Sequence, residues 1–191
     1  MSKQDKREEI VRAAKELIAE HGFHGAPMAM IADHAKVGAG TIYRYFENKD
    51  VLITELYRDL EDNMFPVIRE GYEPDKPLRE RFIHLGAALL RYFIENPLDF
   101  RYLEQFHNSP YGVAHRRDKL LGEKEGCNEF RDLFEEGVSR QIIKEFPLVI
   151  LFAISFGPLV LVARDHILGF VTLDDLLISS IIEACWDGIK N

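Results

Sequence analysis

The sequence predicts an all-α fold of about nine helices. Apolar residues recur every three or four positions along most of the chain, and no run of alternating residues indicates a β-strand. Pro27, Pro77 and Pro97 stand where helices would begin, a position at which the missing proline N–H costs no hydrogen bond. The composition, 47% hydrophobic and 29% charged over 191 residues, is that of one or two globular domains and excludes disordered and fibrous proteins.

The first fifty residues predict one long helix and two short ones. In the long helix, apolar residues recur between Ile10 and Ile18, and Gly22 stands where a helix-ending glycine is expected. Two short helices then follow over residues 27–35 and 39–46, separated by three residues. Two short helices joined by so short a turn are the arrangement of a helix-turn-helix.

Longer helices are predicted after this segment. Asn48 is suited to cap a helix that begins at Lys49, and Pro66 is expected to kink or divide that helix. The remaining helices begin at Pro77 and Pro97 and then cover residues 114–140, 147–169 and 174–190.

Residues 146–163 carry no charge over eighteen positions and therefore raise the question of a membrane span. A bilayer helix needs about 20 apolar residues, so the run is marginal in length. It also contains Gly157-Pro158 and is followed at once by Arg164 and Asp165. We therefore predict no membrane partner and a buried helix, either central to a domain or shared with a second subunit.

The last predicted helix carries a stripe of apolar and small residues that is suited to packing against a symmetry mate. With the helix before it, two helices per subunit would form the four-helix interface of a homodimer. The predicted dimerisation residues are Leu159, Leu173, Leu177, Ile181 and Cys185.

The net charge of −8 is unevenly distributed along the chain. The first fifty residues hold eight basic and eight acidic side chains, whereas the remainder holds sixteen basic and twenty-four acidic ones. Contact with a polyanion is therefore expected only within the first fifty residues.

The third predicted helix has one side suited to packing and another suited to a DNA groove. Ile42 and Phe46 lie on the same side and are predicted to pack on the preceding helix. The opposite and flanking positions carry small, hydroxyl-bearing and basic residues: Gly40, Thr41, Tyr43, Arg44 and Tyr45. Hydroxyl and guanidinium groups bind phosphates, and small residues allow the start of the helix to approach a groove closely.

The segment from Ile31 to Lys49, IADHAKVGAGTIYRYFENK, closely resembles the helix-turn-helix of the tetracycline-repressor (TetR) family. The resemblance implies a DNA-binding domain over residues 1–48 and an effector-binding and dimerisation domain over residues 49–191. Together with the helix pattern, it predicts the DNA-contacting residues Met28, Ala29, Lys36, Gly38, Ala39, Gly40, Thr41, Tyr43, Arg44, Tyr45 and Lys49.

Three features of this segment depart from the family pattern. Lys36 stands where the turn usually has glycine, Gly38 replaces a capping serine, and Pro27-Met28 replaces a threonine-rich start. Fewer hydroxyl contacts imply weaker or differently spaced DNA binding, for which the charge of Lys36 is suited to compensate.

Eight aromatic residues fall between Phe65 and Phe106, a density that suits either an apolar pocket or a plain core. TetR-like proteins usually bind a small effector among these helices, so the resemblance favours a pocket. It implies a small hydrophobic or aromatic effector that releases the protein from DNA. The predicted effector-binding residues are Phe65, Phe82, Tyr92, Phe93, Phe100, Leu103, His107, Phe130, Phe134 and Phe152.

The sequence predicts no catalytic site, metal site or cofactor. His21 and His24 lack a third ligand, and Cys127 and Cys185 lack nearby partners for a zinc site or a disulfide framework. Cys127 is predicted to be an inert core thiol. An enzyme and a protein-interaction scaffold are the alternatives, which a metabolite screen and a DNA shift assay would separate from a regulator.

The predicted function is that of a cytoplasmic, ligand-responsive transcriptional regulator, expected to be a repressor. As a homodimer it would bind a near-palindromic operator in double-stranded DNA.

Overall fold

A computed structural model describes residues 3–120 and 129–191 of the chain. The helices are α1 (Lys3–Gly25), α2 (Met28–His34), α3 (Ala39–Tyr45), α4 (Lys49–Arg69), α5 (Leu78–Glu95), α6 (Pro97–His107), α7 (Pro110–Leu120), α8 (Glu129–Ser139), α9 (Leu148–Ser155), α10 (Gly157–Ile167) and α11 (Asp175–Ile189). Within the described ranges there is no β-strand, and a single isolated bridge joins Ile143 to Lys190. The all-α prediction is confirmed.

The predicted cap of α4 is confirmed, and two other predicted boundaries differ in detail. The Asn48 side chain accepts a hydrogen bond from the Val51 amide at 2.9 Å and caps α4. Gly22, the predicted end of the first helix, breaks the helical backbone with a left-handed φ of 69°, but α1 extends beyond it to Gly25. Asp174, predicted as the first residue of the last helix, is its cap and accepts from the Leu177 amide at 2.8 Å.

Three helices differ from the prediction. α4 continues through Pro66 to Arg69 and is therefore not divided at the proline. The predicted helix 147–169 is interrupted at Phe156, with Pro158 in the first turn of α10. The predicted helix 114–140 is helical in its described parts, α7 and α8, whereas Cys127 lies outside the described residues.

The chain divides into two compact units. The first comprises the described residues of Met1–Asn63 with Asn96–Arg117, and the second those of Met64–Glu95 with Asp118–Asn191. This grouping follows compactness, and the functional boundary expected between residues 48 and 49 stays a prediction.

In the first unit, α6 packs directly on α1 and α4. The Lys15 ammonium lies 2.6 Å from an Asp99 carboxylate oxygen, which ties α1 to α6. The buried Tyr102 hydroxyl donates to the Ile53 carbonyl of α4 at 3.0 Å. Because these contacts span long sequence separations, periodicity within one helix could not reveal them.

The core of the second unit is a cluster of aromatic rings around Phe156. Phe130 lies 4.8 Å from Phe156 between ring centroids, and Phe82 lies 5.6 Å from it. Phe134 and Phe152 complete the cluster at a mutual distance of 5.1 Å. Phe82 and Phe134 are fully buried, so these rings act as packing residues in this structure.

A buried arginine links α5 to α8 in the same unit. The Arg81 side chain is only 8% exposed and pairs with Glu136, which also accepts from Arg140 at 2.6 Å. The hydrogen bond from Arg81 is the main cause that lowers the Glu136 pKa from its usual 4.5. A lowered carboxyl pKa stabilises the fold above the unfolded-state value, and this stabilisation is lost as the pH falls through the lowered value.

We expect Glu136→Gln to destabilise the protein by about 1–3 kcal/mol at neutral pH, because it leaves the Arg81 charge buried without its counter-ion. Urea unfolding of wild type and variant at neutral and strongly acidic pH measures the effect. The difference should shrink in acid, where Glu136 is protonated in the wild type as well. An equal difference at both pH values would show that the carboxylate charge is not its cause.

The segment Leu148–Ile167 is long and apolar enough to cross a membrane by length and composition, and 28% of its most apolar window is buried. Several large apolar side chains of the C-terminal helices and their connections are exposed: Phe146, Ile150, Leu161, Leu168, Phe170, Leu176 and Leu177. We call this set of exposed side chains the C-terminal apolar face.

Candidate DNA-binding helix and ligand groove

Helices α2 and α3 are held together by a buried seam. Ile31, Ile42 and Phe46 are fully buried, and Ala35 is almost so. The predicted inward side of the third helix is thus the side that packs. Its outward side is therefore fixed in direction by the core beneath it.

The turn between α2 and α3 is closed by two backbone hydrogen bonds. The Lys36 amide donates to the Asp33 carbonyl at 3.0 Å, and the Val37 amide donates to the Ala32 carbonyl at 2.9 Å. This pairing is a Schellman motif, whose residue after the cap is left-handed and usually glycine. Here that residue is Lys36, with φ of 53°. A non-glycine residue costs about 1–2 kcal/mol in this conformation.

Most predicted DNA-contacting residues are exposed on one surface. Tyr43 is 55% exposed, and Arg44 is exposed without an ion-pair partner among the described residues. Thr41 and Tyr45 are half-buried. The other exposed residues of the predicted set are Ala29, Lys36, Gly38, Ala39 and Gly40.

At two glycines near the start of α3, the surrounding chain leaves room for a larger side chain. A Cβ at Gly40 would meet no atom within 4 Å, and one at Gly38 would only touch the Thr41 hydroxyl at 3.7 Å. Glycine inside a helix costs about 0.5–1 kcal/mol relative to alanine, so its presence needs another reason. Close approach of a partner to this surface supplies one.

Two residues of the predicted set are engaged within the protein. Met28 is buried, so its side chain packs within the chain, and its predicted place near a DNA groove stays a prediction. The Lys49 ammonium donates to the Phe23 carbonyl, and burial lowers its pKa. Lys49 thereby joins the end of α1 to the start of α4, and its predicted phosphate contact stays a prediction.

Arg7 packs against Phe46 at the end of α3. The sequence pattern did not indicate this role. Its guanidinium donates to Glu55 at 2.9 Å and to Asp59 at 3.0 Å, and its Cζ lies 5.6 Å from the centroid of the Phe46 ring. These hydrogen bonds raise the Arg7 pKa, led by the one to Asp59. No local pattern indicates such a contact, because its partners lie about fifty positions away in sequence.

We expect Lys36→Gly to raise stability by about 0.5–1 kcal/mol, because relief of the left-handed strain exceeds the entropy cost of glycine. The same change should weaken operator binding several-fold and reduce the salt slope by about one unit, because it removes an exposed charge. Thermal unfolding and DNA titration at several salt concentrations measure the two effects.

The matched control is Gln141→Gly, since Gln141 has a similar φ of 56° but lies after α8. It should raise stability without changing DNA affinity. If Lys36→Gly behaves like this control in DNA binding, Lys36 has no role at the interface.

The predicted effector residues are divided between the two units. Phe100, Leu103 and His107 belong to the first unit, where Phe100 and Leu103 are buried and the His107 ring lies 6.0 Å from Phe106. The other seven belong to the second unit, where four form the aromatic cluster around Phe156. Of these seven, Tyr92 and its neighbour Phe93 are buried, and Phe65 is half-buried beneath Arg69. Their contact with an effector stays a prediction.

A groove of about 480 Å³ lies in the second unit between α5 and α11, with the end of α4 at its edge. Tyr92 is the predicted effector residue that lines it. Its other walls are formed by small and branched residues of α5 and α11, which the sequence pattern did not indicate as binding residues. We call it the α5–α11 groove.

The predicted dimer residues also divide into two groups. Leu159, Leu173 and Cys185 are buried within their own chain, and their place on a subunit interface stays a prediction. Leu177 is 38% exposed and Ile181 is half-buried. Helix α11 is apolar on two sides, and the buried side consists of Ile178, Ile182, Cys185, Trp186 and Ile189.

Comparison with known proteins matches both ends of the chain to one family. A family model described as "Bacterial regulatory proteins, tetR family" matches residues 10–56, and one described as "Tetracyclin repressor-like, C-terminal domain" matches residues 77–190. An uncharacterized HTH-type transcriptional regulator of Haemophilus influenzae is 26% identical, and the match covers 99% of this chain and 98% of that protein.

Two further relatives differ in how much they cover. A fatty acid metabolism regulator protein of Bacillus subtilis is 42% identical over 91 residues, which are 48% of this chain and 45% of that protein. The structure of a putative TetR-family regulator from Vibrio parahaemolyticus has a TM-score of 0.78 and 31% identity. The match covers 97% of this chain and 99% of the Vibrio parahaemolyticus protein.

Proposed function

We propose, from the premise that this chain belongs to the TetR family of transcriptional regulators, that it is a homodimeric repressor released from its operator by a small effector with a hydrophobic or aromatic body. The family makes it a DNA-binding regulator and not an enzyme. Family membership alone does not establish the dimer, the effector, repression or the residues responsible for each, and these are proposed here.

The observation that carries the DNA-binding site is the outward side of α3. Tyr43 and Arg44 are exposed side by side on a helix that Ile42 and Phe46 anchor from beneath. The open space at Gly40 leaves room for a groove wall at the start of the helix. Arginine is suited to bind guanine edges or phosphates, and the tyrosine hydroxyl is suited to bind phosphate.

The C-terminal apolar face supports the homodimer. Along α11, Leu177 is followed at helical spacing by the half-buried Ile181 and the exposed Ala184. Leu161 of α10 and Ile150 of α9 add exposed apolar area in the same unit. A large number of exposed apolar side chains indicates an interface. A second copy of the chain would cover them, so no membrane is needed to do so. We accordingly assign the protein to the cytoplasm.

The first unit contains a route by which an effector signal would reach the DNA-binding helices. The Tyr111 hydroxyl of α7 donates to an Asp50 carboxylate oxygen at 2.5 Å, and Asp50 is the second residue of α4. Lys15 and Asp99 join α6 to α1 in the same unit. A shift of α6 or α7 would therefore move the helices that support α3. By linkage, an effector that weakens DNA binding binds less tightly to the DNA-bound protein, with a typical coupling of about 1–3 kcal/mol.

The test is selection of fragments from genomic DNA by the purified full chain, followed by titration of the selected operator. We expect a near-palindrome with half-sites about 34–36 Å apart or a multiple of that distance, bound by two subunits. Reporter expression should rise when the gene for this chain is deleted. Selection of no sequence would refute the DNA-binding role, and lower expression after deletion would refute repression.

A further inference from the structure

We infer that the α5–α11 groove binds an elongated organic cation with an apolar body. The inference rests on the proposed function, since it names the chemical class of the effector. The groove volume, about 480 Å³, is within the range of small-molecule sites.

The walls of the groove suit an apolar chain or ring. Ile83, Ala87 and Ala88 of α5 and Ile178 and Ile182 of α11 line it. The α5 residues are half-buried, and the small alanine side chains leave the space open. Burial of an apolar ligand body here is favoured at about 25 cal/mol per Å² of area removed from water.

The side chains that line the groove carry more negative than positive charge. Glu70 and Glu95 both line it, and neither carboxylate has an ion-pair partner among the described residues. Among the described lining residues, the arginine, Arg91, is paired with Asp175 at 2.8 Å. A ligand with positive charge would therefore meet carboxylates that the protein leaves uncompensated.

The end of α4 reinforces this negative potential at Glu70. Glu70 directly follows the last residue of α4. The C-terminal end of a helix carries a partial negative charge, which opposes a carboxylate and attracts a cation. A carboxylate ligand would therefore be repelled at Glu70 by the helix end as well as by the side chain.

The two carboxylates lie toward opposite ends of the groove. A Cβ on Gly71, next to Glu70, would lie 3.5 Å from the His84 ring, which places Glu70 near the His84 end. Glu95 lies eleven positions after His84 along α5, a rise of about 16 Å. An elongated ligand with a charge at each end would engage both carboxylates.

His84 adds a polar group at one end. Its Nε2 is buried and has no hydrogen-bond partner among the described residues. A buried polar atom without a partner costs free energy, which a ligand N–H would recover once the ring turns to present this nitrogen as an acceptor. An ammonium or amidinium group supplies such donors, whereas a hydrocarbon end does not.

The experiment compares four probes that share one ten-carbon chain: decane-1,10-diamine, decylamine, decanol and decanoate. Each is titrated into the full-length protein by calorimetry, with the fluorescence of Trp186 as a second signal. Trp186 is the only tryptophan in the chain and lies one turn beyond the groove residue Ile182. We expect affinity to decrease in the order diamine, amine, alcohol, carboxylate.

Three variants locate the binding. Glu70→Gln and Glu95→Gln should each weaken the diamine about two- to fivefold, the range for exposed ion pairs, and leave decanol unchanged. Glu135→Gln on the exposed side of α8 makes the same charge change away from the groove and should have no effect. Ala88→Trp should abolish binding of the diamine, the amine and decanol by filling the groove, with thermal unfolding as the check on folding.

The outcomes separate this inference from the proposed function. Tighter binding of decanoate than of decylamine, or equal loss in Glu135→Gln and Glu95→Gln, overturns the cationic class. Diamine binding that is unchanged in a folded Ala88→Trp variant overturns the location. Dissociation of the dimer by the diamine would show that the groove is a subunit interface, which also overturns it. If operator binding fails while the diamine binds as expected, the proposed function fails and the inference about ligand class stands.

Discussion

Replacement of Tyr43 and Arg44 together by alanine is expected to lower operator affinity about a hundredfold or more, at about 1–3 kcal/mol for each contact to a base or phosphate. Both side chains are exposed, so their loss creates no cavity and the fold should stay intact. Fluorescence anisotropy of a labelled operator measures the affinity, and circular dichroism and thermal unfolding verify the fold.

The single variants assign the two roles. Arg44→Ala should change the preferred operator sequence if its guanidinium reads a base, whereas Tyr43→Ala should weaken all sequences alike if its hydroxyl binds phosphate. Arg101→Ala is the matched control, because Arg101 is an exposed arginine on α6. A folded double variant with wild-type affinity and preference would show that α3 is not the DNA-binding helix.

Replacement of Ile181 by glutamate is expected to convert the dimer into monomers and to abolish tight operator binding. The variant would place an unpaired carboxylate within an apolar interface, at a cost of several kcal/mol for two copies. Monomers engage single half-sites and lose the gain from simultaneous binding of both. Analytical ultracentrifugation over a range of concentrations measures the assembly.

Two further variants keep this prediction testable. Leu177→Glu lies one turn earlier at a more exposed position, so it should separate the subunits with less effect on the fold of each. Val113→Glu is the control, because Val113 is 55% exposed on α7 and outside the C-terminal apolar face. A wild-type chain that remains monomeric at micromolar concentration yet binds its operator tightly would overturn the dimer.

Local features of the fold were predicted correctly because their causes lie within a few residues. The cap at Asn48 needs one side chain and an amide three positions later. The left-handed turn at Gly22 needs one glycine. Burial of Ile42 and Phe46 follows from spacing on a single turn of helix.

The candidate ligand groove could not be predicted for the opposite reason. Its walls come from α5 and α11, which lie about ninety residues apart in sequence, and most of its lining residues are small or aliphatic. Of the predicted effector residues, Phe82, Phe130, Phe134 and Phe152 pack in a core around Phe156 instead, and only Tyr92 lines the groove. Composition indicates that rings will be buried, but only their partners decide whether they enclose a cavity.

By itself, the sequence determined the helical class, the position of the helix-turn-helix and the outward residues of α3, because short-range periodicity and capping fix these. Only the tertiary structure decided which side of α11 is buried, since both sides are apolar and either would satisfy the pattern. It also decided that Lys49 bonds to the Phe23 carbonyl and that Arg7 supports Phe46. Such contacts join residues distant in sequence, and their free energy depends on a neighbour that no local pattern specifies.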